Sequence, residues 1–373
     1  MRVLYFTRDY TPHDHRFLTA LAETEHQIYS LRLERKHLQL EDRPLPFEVE
    51  QVLWRGGSKP FLWKDVPALR RALKQVIGEV KPDVIHAGPI QHTAFLTALA
   101  GFHPLVSMSW GSDLLRDADQ NLWWRWLTGY TLKHTDVLVG DCEAVKKKAV
   151  ESGFPEERVV LFPWGVDLDT FSPQSNLEFR RRLGWEEAFV MLSLRSWEPL
   201  YGVDVLVRSF VKAAREIPQL RLILLGNGSQ AALIRSILHS SQMEDRVYFG
   251  GRVSNKDLPG FYQASDLYIS ASHSDGSSVS LMEALGCGCP VLLSDIAGNL
   301  EWITPGEQGW FFEDGDVDAL YAGILKAYQE KDRLAEMQKA SRALAEERAD
   351  WRKNFLKLET AYQMAVDLHC RKN

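Results

Sequence analysis

The chain has 373 residues, and because a single hydrophobic core stops growing at roughly 250–300 residues, two domains are expected. Hydrophobic residues at 45% and charged residues at 25% indicate an ordinary globular protein. The formal net charge of −6 excludes a general electrostatic attraction to nucleic acid, so no nucleic-acid partner is expected.

The cysteines and the first residues bear on the cellular setting. Four cysteines without C-x-x-C spacing exclude a disulfide framework and a zinc knuckle, so we expect a reducing, cytoplasmic environment. Residues 1–6 have the pattern of a strand rather than of a secretory leader. No apolar run approaches the ~18 residues that a membrane span needs.

The first half of the chain alternates short apolar runs with helical patterns. The predicted strands are residues 3–6, 28–33, 49–53, 84–86, 105–109 and 137–140. The helical stretches between them include residues 17–23, 66–80 and 93–100. Strands that alternate with helices predict an α/β fold with a parallel, doubly wound sheet.

A linker is predicted at residues 163–173, where two prolines and a glycine interrupt every period. The alternation then begins again. Its predicted strands are residues 190–194, 220–225, 247–249, 267–270, 291–294 and 310–312, and its helices are residues 203–215, 230–240, 279–285, 318–331 and a long tail at 334–368. Ligands on parallel sheets bind beyond the carboxyl ends of the strands. We therefore expect two Rossmann-like domains that face each other across a cleft.

Two acidic residues, Asp275 and Glu283, stand eight positions apart around a predicted strand-to-helix junction. We expect Ser278 at the N-cap, with its hydroxyl bonded to an amide of the first turn. The amides of Ser277, Ser278 and Val279 would then present the positive end of the helix to a phosphate. Glu283 would accept ribose hydroxyls and Asp275 sugar hydroxyls. The alternative is a capped helix start with a solvated acidic face.

The segment Asp275-x7-Glu283-Ala-Leu-Gly-Cys-Gly-Cys-Pro290 leads through an apolar strand to Ser294-Asp-Ile-Ala-Gly298. This order resembles the signature of the GT-B-fold, retaining glycosyltransferases of family GT4. Further segments resemble the interdomain linker of that family, the loop after the second strand of its nucleotide domain, its base-binding strand and turn, and its C-terminal tail. They are residues 163–173 (with Trp164 where Asn is usual), 225–228, 247–253 and the helix from Trp351.

The resemblance implies the GT-B fold. Residues 1–165 would form an N-terminal, acceptor-binding Rossmann-like domain and residues 166–350 a C-terminal domain that binds the nucleotide-sugar. Residues 351–373 would form a C-terminal helix that crosses back to the N-terminal domain. The implied activity is retaining hexosyl transfer from a nucleotide-sugar, with a UDP-sugar favoured and a GDP-sugar next, to a glycan, lipid-linked or small-molecule acceptor.

The resemblance also implies roles for single residues of the C-terminal domain. Glu283 would bind the ribose, and Asp275 would contact hydroxyls of the donor sugar. The amides from Ser277 to Val279 would hold the distal phosphate. The backbone of Arg252 and Val253 would hold the base edge. Asp275 is one methylene shorter than the Glu that is more usual in the family, so the sugar or its pose is expected to differ.

The family places an Arg and a Lys on the diphosphate, after the first strand of the second domain. Arg195 supplies the Arg, whose planar fork suits phosphate oxygens, and we assign catalytic roles to Arg195 and Asp275. Tyr201 stands at the Lys position without a positive charge. It either donates a hydrogen bond to the donor or packs without touching it, so a monophosphate donor such as a CMP-sugar stays open. Gly226 is assigned to the donor-side loop.

The loop after the first strand of the N-terminal domain departs from the family, because residues 9–16 lack its Gly-Gly turn. His13, His15 and Arg16 would replace the backbone amides of that turn with charge. The alternative is an exposed polar loop that caps the helix from Phe17.

A second departure lies in Ser109-Trp-Gly-Ser-Asp113, where the family often shows His-Gly-Ser-Asp. Trp110 stands at the position often given to His, and it can stack on a sugar ring but cannot transfer a proton. Asp113 would either contact the acceptor or cap the helix behind it, and capping is the favoured interpretation.

Retaining chemistry without a placed nucleophile fits a front-face mechanism, in which the protein supplies positioning and charge stabilisation. We expect no metal and no other cofactor, since the nucleotide-sugar is a co-substrate. The pairs Asp167/Asp169 and Asp316/Asp318 are interpreted as structural. The rival functions are another GT-B enzyme, such as a sugar-nucleotide epimerase or a phosphorylase, and a non-catalytic nucleotide-sugar-binding module.

The segment Asn121-Leu-Trp-Trp-Arg-Trp-Leu127 is unusually aromatic. Tryptophans at i and i+3, here Trp123 and Trp126, are typical of core packing, which is the favoured interpretation. A helix rich in Trp and Arg also suits a membrane surface, which would accommodate a lipid-linked acceptor at the inner face of the membrane. The sequence leaves the donor, the acceptor and the oligomeric state open.

Overall fold

The computed structural model describes residues 1–34, 41 and 43–371, which form two compact units. Unit 1 comprises Met1–Phe162 together with Phe355–Asn373, and unit 2 comprises Pro163–Asn354. Each unit contains one sheet of parallel strands with helices in its connections. The predicted α/β class with two Rossmann-like domains is confirmed.

Unit 1 contains a seven-stranded parallel sheet in the order β3-β2-β1-β4-β5-β6-β7. Its strands are β1 (Arg2–Thr7), β2 (Gln27–Arg32), β3 (Val49–Gln51), β4 (Val84–Gly88), β5 (Leu105–Met108), β6 (Val137–Gly140) and β7 (Val159–Leu161). Its first helices are α1 (Pro12–Ala22), α2 (Val66–Val80), α3 (Phe95–Ala100), α4 (Ser112–Leu115), α5 (Leu122–Lys133) and α6 (Glu143–Glu151). Every residue of β4, β5 and β6 is buried, which is why these strands appear in the sequence as continuous apolar runs.

Unit 2 contains a six-stranded parallel sheet in the order β10-β9-β8-β11-β12-β13. Its strands are β8 (Phe189–Ser193), β9 (Leu220–Leu225), β10 (Val247–Gly251), β11 (Leu267–Ser270), β12 (Val291–Ser294) and β13 (Gly309–Phe312). Its helices are α7 (Leu177–Leu183), α8 (Val203–Glu216), α9 (Ala231–Ser240), α10 (Leu258–Gln263), α11 (Val279–Gly286), α12 (Ala297–Leu300), α13 (Val317–Gln329) and α14 (Leu334–Arg348). Helix α8 buries apolar residues at helical spacing, namely Val203, Leu206, Val207 and Phe210.

The C-terminal helix α15 (Trp351–Cys370) begins in unit 2, and its residues from Phe355 onward belong to unit 1. The Tyr362 hydroxyl lies 2.7 Å from Nδ1 of the buried His86 on β4. Burial lowers the pKa of His86 to about 3, so the ring is neutral. Near the start of β2, Nε2 of His26 lies 2.7 Å from a carboxylate oxygen of Glu359. These contacts hold the C-terminal residues against the unit 1 sheet.

Some predicted elements differ from the observed ones, and the differences have local causes. Helix α1 begins at Pro12 rather than Phe17, because Thr11 and Asp14 form a reciprocal capping box around a proline in the first turn. The predicted tail helix is two helices, since Val166 pairs with the backbone of Ala349 and Trp351 and interrupts the helix there. Strand β7 is absent from the predicted strands; it is a short, half-buried strand at the edge of the sheet.

Both aspartate pairs make structural contacts. Asp316 is the N-cap of α13 and accepts hydrogen bonds from the first-turn amides of Asp318 and Ala319. Asp167 accepts a hydrogen bond from the Thr170 hydroxyl, while Asp169 pairs with Arg352 at 2.8 Å.

The core-packing prediction for Trp123 and Trp126 is wrong. These residues on α5 are 51% and 50% exposed. The buried face of α5 consists of Leu127, Thr128, Thr131 and Leu132, and it lies on a different side of the helix. Within the described ranges, no helix has both the length and the hydrophobicity that crossing a bilayer requires.

Candidate functional site

The predicted donor residues of unit 2 meet at the carboxyl ends of β8 and β11. Arg195 follows β8, and its Nη2 donates to Oδ2 of Asp275, which follows β11, at 2.6 Å. Its Nη1 donates to the hydroxyls of Ser278 and Ser280 at 3.0 and 3.1 Å. The structure thus brings Arg195, Asp275 and the start of α11 into one hydrogen-bonded cluster, which we call the Arg195 cluster.

The side chain of Arg195 is only 14% exposed. Burial alone would lower its pKa, but the Asp275 carboxylate and the neighbouring tyrosines raise the pKa above its ordinary value, so the group stays charged. The Tyr201 ring lies 4.4 Å from the guanidinium carbon, in cation–π geometry. Tyr201, at the end of the 3₁₀ turn Pro199–Tyr201, also packs against the unit 2 core. Its ring therefore supports Arg195 and brings no second charge.

Ser278 is the N-cap of α11, as predicted, but its predicted capping bond is wrong. The Ser278 side chain makes no hydrogen bond to the first turn of the helix. Its hydroxyl accepts from Arg195 instead and lies 3.0 Å from the Ser280 hydroxyl. Because a charged donor competes better for this oxygen than a neutral amide does, the arginine decides its orientation.

The remaining serine of the turn, Ser277, is buried and accepts a hydrogen bond from Nε1 of Trp302 at 3.1 Å. The turn is also packed against Gly298 at the start of α12. A Cβ at Gly298 would lie 2.5 Å from the carbonyl oxygens of both Asp275 and Gly276, so only glycine allows this approach. The glycine in the motif therefore shapes the turn that carries the predicted phosphate amides.

Glu283 lies one turn into α11 and is buried. The Tyr262 hydroxyl, from α10, donates to its carboxylate at 2.9 Å and lies 3.0 Å from the carbonyl oxygen of Ser280. Burial and the Glu283 charge both raise the pKa of Tyr262 well above its ordinary value, so the tyrosine remains a neutral donor. The carboxylate is thus held in one orientation by a residue of another helix.

The loops after β9 and β10 adjoin the same edge of the sheet. The Gly226 amide donates to the carbonyl oxygen of Gly251 at 2.7 Å. Gly226 has a φ of 92°, and a Cβ there would lie 2.8 Å from the carbonyl oxygen of Arg195. Arg252 is exposed and Val253 half-buried directly after this contact. The predicted donor loop and base-binding turn therefore lie beside the Arg195 loop.

Four residues of this site were missed in the sequence: Tyr262, Tyr268, Ser280 and Trp302. Ser280 was accessible to prediction, because it stands two positions after the N-cap within the recognised segment. The Tyr268 hydroxyl lies 2.8 Å from Ser280, and Tyr262 and Trp302 approach from other elements. No local pattern distinguishes such aromatic residues from ordinary core residues.

In unit 1, the structure places Asp113 in the first turn of the short helix α4, which follows β5. Its carboxylate accepts hydrogen bonds from the Ser109 hydroxyl and from the amides of Ile90, Trp110 and Leu114. The residue is buried, and the bond to Ile90 holds the start of the π-helix Ile90–Ala94. The N-cap of α4 is Gly111 and no side chain caps it, so Asp113 does not take the N-cap position of the helix behind it. Asp113 binds one first-turn amide of α4, that of Leu114, and it orients the backbone of Trp110.

The three polar residues before Phe17 lie on the first turns of α1, rather than in a loop. The His13 ring lies 5.6 Å from the Trp110 ring, so these two predicted acceptor-side residues are neighbours. His15 instead lies 2.7 Å from the Tyr10 hydroxyl, and burial, followed by the charge of Arg43, lowers its pKa. Arg16 is half-buried on the same helix.

We expect a pH-dependent contribution to stability from Asp113. Burial raises its pKa from 3.8 to about 6, against its four hydrogen bonds, so the folded chain holds this proton more tightly than the unfolded chain. The contribution is therefore complete below about pH 4 and lost as the pH rises through about 6. Relative to Asp113→Asn, which does not titrate, the free energy of unfolding of the wild type should rise by up to about 3 kcal/mol between about pH 7 and about pH 4.

Denaturant unfolding of both proteins at each pH measures this difference. The contributions of the other titrating groups cancel, because both proteins contain them. A difference that does not change with pH would show that Asp113 titrates alike in both states. A difference that grows toward neutral pH would show that the hydrogen bonds outweigh burial.

Two protein families match consecutive parts of the chain. The family described as "Glycosyltransferase Family 4" matches residues 13–170, and "Glycosyl transferases group 1" matches residues 175–344. The first match covers most of the unit 1 sheet, and the second contains the Arg195 cluster and Glu283.

Relatives with named activities share part of the sequence. The chain is 23% identical over 305 residues to a GDP-mannose-dependent alpha-(1-6)-phosphatidylinositol monomannoside mannosyltransferase of Mycolicibacterium smegmatis, covering 77% of this chain and 78% of the relative. It is 33% identical over 152 residues to the UDP-N-acetylglucosamine–peptide N-acetylglucosaminyltransferase GtfA subunit of Streptococcus pneumoniae. That match covers 39% of this chain and 29% of the relative.

Among solved structures, the chain is similar to HepE of Anabaena, crystallised in complex with UDP. The TM-score is 0.80 at 18% identity, and the match covers 97% of this chain and 100% of the other. At this identity the likeness shows the fold alone, which is GT-B.

Proposed function

Since the chain belongs to the GT-B-fold glycosyltransferases of family GT4, we propose that it transfers a hexosyl group from a nucleotide-sugar with retention of the anomeric configuration. The donor we favour is a UDP-sugar, with a GDP-sugar next, and the acceptor is a glycan, a lipid-linked saccharide or a small molecule. The reaction needs no metal and no other cofactor.

The observation that carries this proposal is the Arg195 cluster. It combines a buried guanidinium with the N-terminus of α11, and both attract phosphate oxygens. Asp275 is held beside them at 2.6 Å from Arg195, where a carboxylate can accept hydroxyls of the donor sugar. Glu283, one turn further, accepts ribose hydroxyls in the same proposal.

The proposed chemistry is a front-face substitution. The bond between the anomeric carbon and the leaving phosphate oxygen breaks, and the acceptor oxygen bonds to the same face of that carbon. The leaving phosphate takes the proton of the acceptor hydroxyl. Arg195 and the α11 amides stabilise the negative charge that develops on the phosphate, while the carboxylates orient sugar and ribose.

The number of positive charges bears on the donor class. Tyr201 stands at the position where the family has a lysine, and its ring packs on Arg195. The guanidinium of Arg195 forms an ion pair with Asp275, which offsets part of its charge. A CMP-sugar, with one phosphate, therefore remains the alternative donor. UDP and GDP are favoured because the names of the relatives specify UDP-N-acetylglucosamine and GDP-mannose as their donors.

A thermal-shift screen against UDP, GDP, ADP, CMP and their sugars tests the donor class. We expect stabilisation by one base, since a ligand that binds only the folded state raises its melting temperature. The stabilising sugar is then incubated with and without candidate acceptors, and the anomeric configuration of the product is determined by NMR. Inversion would contradict the retaining mechanism, and conversion of the donor without an acceptor would indicate an epimerase.

We expect EDTA to leave the transfer rate unchanged. The described residues contain no group of three His, Cys, Asp or Glu side chains that is arranged to hold a metal ion, and the aspartate pairs are engaged in capping and ion pairs. The measurement compares initial rates after EDTA treatment with rates after addition of Mn²⁺ or Mg²⁺. A strict requirement for either ion would contradict the proposed mechanism.

A further inference from the structure

Unit 1 carries an exposed aromatic surface that the proposed reaction does not use. We call it the tryptophan patch; it consists of Leu62, Trp63, Leu122, Trp123 and Trp126. Leu122 is 81% exposed, and Trp123 and Trp126 on α5 are 51% and 50% exposed. The Trp63 ring lies 6.0 Å from the Trp123 ring and joins the two segments of the chain into one surface. Neighbouring exposed apolar side chains of this kind are typical of an interaction site.

The packing of the rings bears on whether the partner is a sugar or a membrane surface. Trp126 is stacked on Trp123 at 5.1 Å on one side and on Tyr130 at 5.5 Å on the other, with interplanar angles of 18° and 29°. The rings of Trp63 and Trp123 form a T-shaped pair with an interplanar angle of 78°. A sugar ring recognised by tryptophan needs an open aromatic face, and Trp126 already stacks on two neighbouring rings. The patch combines these packed, partly exposed tryptophans with exposed leucine side chains, as interfacial membrane anchors do.

The charge of the surrounding sequence indicates which kind of surface the patch binds. The segment from residue 55 to 74, which contains Leu62 and Trp63, has six basic residues and one acidic residue in a chain whose net charge is −6. All six are exposed, and they are Arg55, Lys59, Lys64, Arg70, Arg71 and Lys74. The acid, Asp65, is paired with Lys59 at 3.3 Å.

Helix α5 adds two exposed cations beside the tryptophans, Arg125 and Lys133. In the described part of the chain, neither these two residues nor Lys64 takes part in an ion pair, so their charge is available to a partner. Exposed tryptophans flanked by basic side chains outside ion pairs match the chemistry of an anionic lipid surface.

We propose that the tryptophan patch docks unit 1 onto a membrane surface that contains anionic lipids. Leu122, Trp123 and Trp126 enter the headgroup region, and Lys64 and Arg125 contact lipid phosphates. Apolar burial and electrostatic attraction then act together, as stable peripheral binding requires. The inference does not rest on the proposed reaction, because lipid binding involves neither the donor nor the Arg195 cluster.

The test is co-sedimentation of the full chain with vesicles of phosphatidylcholine alone or mixed with phosphatidylglycerol. We expect binding to the mixed vesicles that weakens at high salt, because salt screens the attraction between lysine or arginine and phosphate. Replacing both tryptophans, Trp123→Ala with Trp126→Ala, should lower the partition coefficient by about tenfold or more. The matched control is Leu177→Ala, a 49% exposed leucine of α7 in unit 2, which should bind like the wild type.

A second variant keeps the test valid if loss of the ring stack unfolds α5. Lys64→Glu with Arg125→Glu alters only exposed charges and should reduce binding to the mixed vesicles by about tenfold or more. Its control is Arg208→Glu, an exposed arginine of α8. Three results would overturn the proposal: no binding to mixed vesicles, binding that survives both patch variants, or a dimer or soluble-glycan complex that requires the patch while vesicles do not bind.

Discussion

Replacing Arg195 by alanine is expected to lower the kcat of sugar transfer by about 100- to 1,000-fold, the usual cost of removing one preorganised donor to a developing negative charge. The guanidinium is buried, permanently charged and already oriented by Asp275, Ser278 and Ser280. It therefore needs little reorganisation when the phosphate leaves. Initial rates at saturating donor, with the melting temperature measured in parallel, provide the test.

Two further variants make this result specific. Arg195→Lys keeps the positive charge but loses the planar fork that reaches Asp275 and both serines, so its kcat should fall between those of wild type and Arg195→Ala. Arg208→Ala removes an exposed arginine of α8 and should leave kcat unchanged. A wild-type kcat in folded Arg195→Ala would assign the cluster a purely structural role.

Replacing Glu283 by glutamine is expected to weaken nucleotide binding by about 10- to 100-fold, the value of one or two hydrogen bonds to a charged acceptor. Glutamine has the same size, and its carbonyl oxygen can still accept the Tyr262 hydroxyl, so the local packing of α10 and α11 is kept. Calorimetry with the nucleotide selected by the thermal-shift screen measures the affinity.

The control for Glu283 is Tyr262→Phe, which removes the hydroxyl that orients the carboxylate and keeps the ring. We expect it to weaken binding less than Glu283→Gln does, because the carboxylate itself remains. If Glu283→Gln binds the nucleotide like the wild type but melts at a lower temperature, the buried carboxylate belongs to the packing of α11 and the ribose assignment fails.

The donor-side segment shows which features of the site could be predicted from local sequence. Asp275, the turn and Glu283 were recognisable because their spacing is set by one strand-to-helix junction, and the structure places Ser278 at the predicted N-cap. The direction of the Ser278 hydroxyl was not predictable. It depends on Arg195, which stands 83 residues earlier in the chain and reaches this serine only after β8 and β11 have paired.

Tyr201 illustrates a choice that the sequence left open. The substitution at a lysine position was visible, but packing and substrate contact were both compatible with it. In the folded chain its ring lies against the Arg195 guanidinium and the unit 2 core. The Tyr201 ring thus supports Arg195, and no local sequence pattern predicts this contact.

For helix α5, the sequence-based prediction of the buried face was wrong. The i, i+3 spacing of Trp123 and Trp126 was correctly recognised as one helical face, but which face of a helix is buried depends on what the rest of the fold packs against it. Here Leu127, Thr128, Thr131 and Leu132 take the buried side and leave the tryptophans at the surface. Periodicity cannot distinguish these outcomes when both faces carry apolar residues.

The sequence by itself therefore determined the two Rossmann-like domains, the family and the spacing of the donor segment, because each depends on periodicity or on neighbours within a few turns of chain. Only the tertiary structure decided the partners of Arg195, the burial of Glu283 beneath Tyr262 and the exposure of the tryptophan patch. These features join residues that are distant in sequence. Their geometry exists only after the strands have set the order in which loops and helices meet.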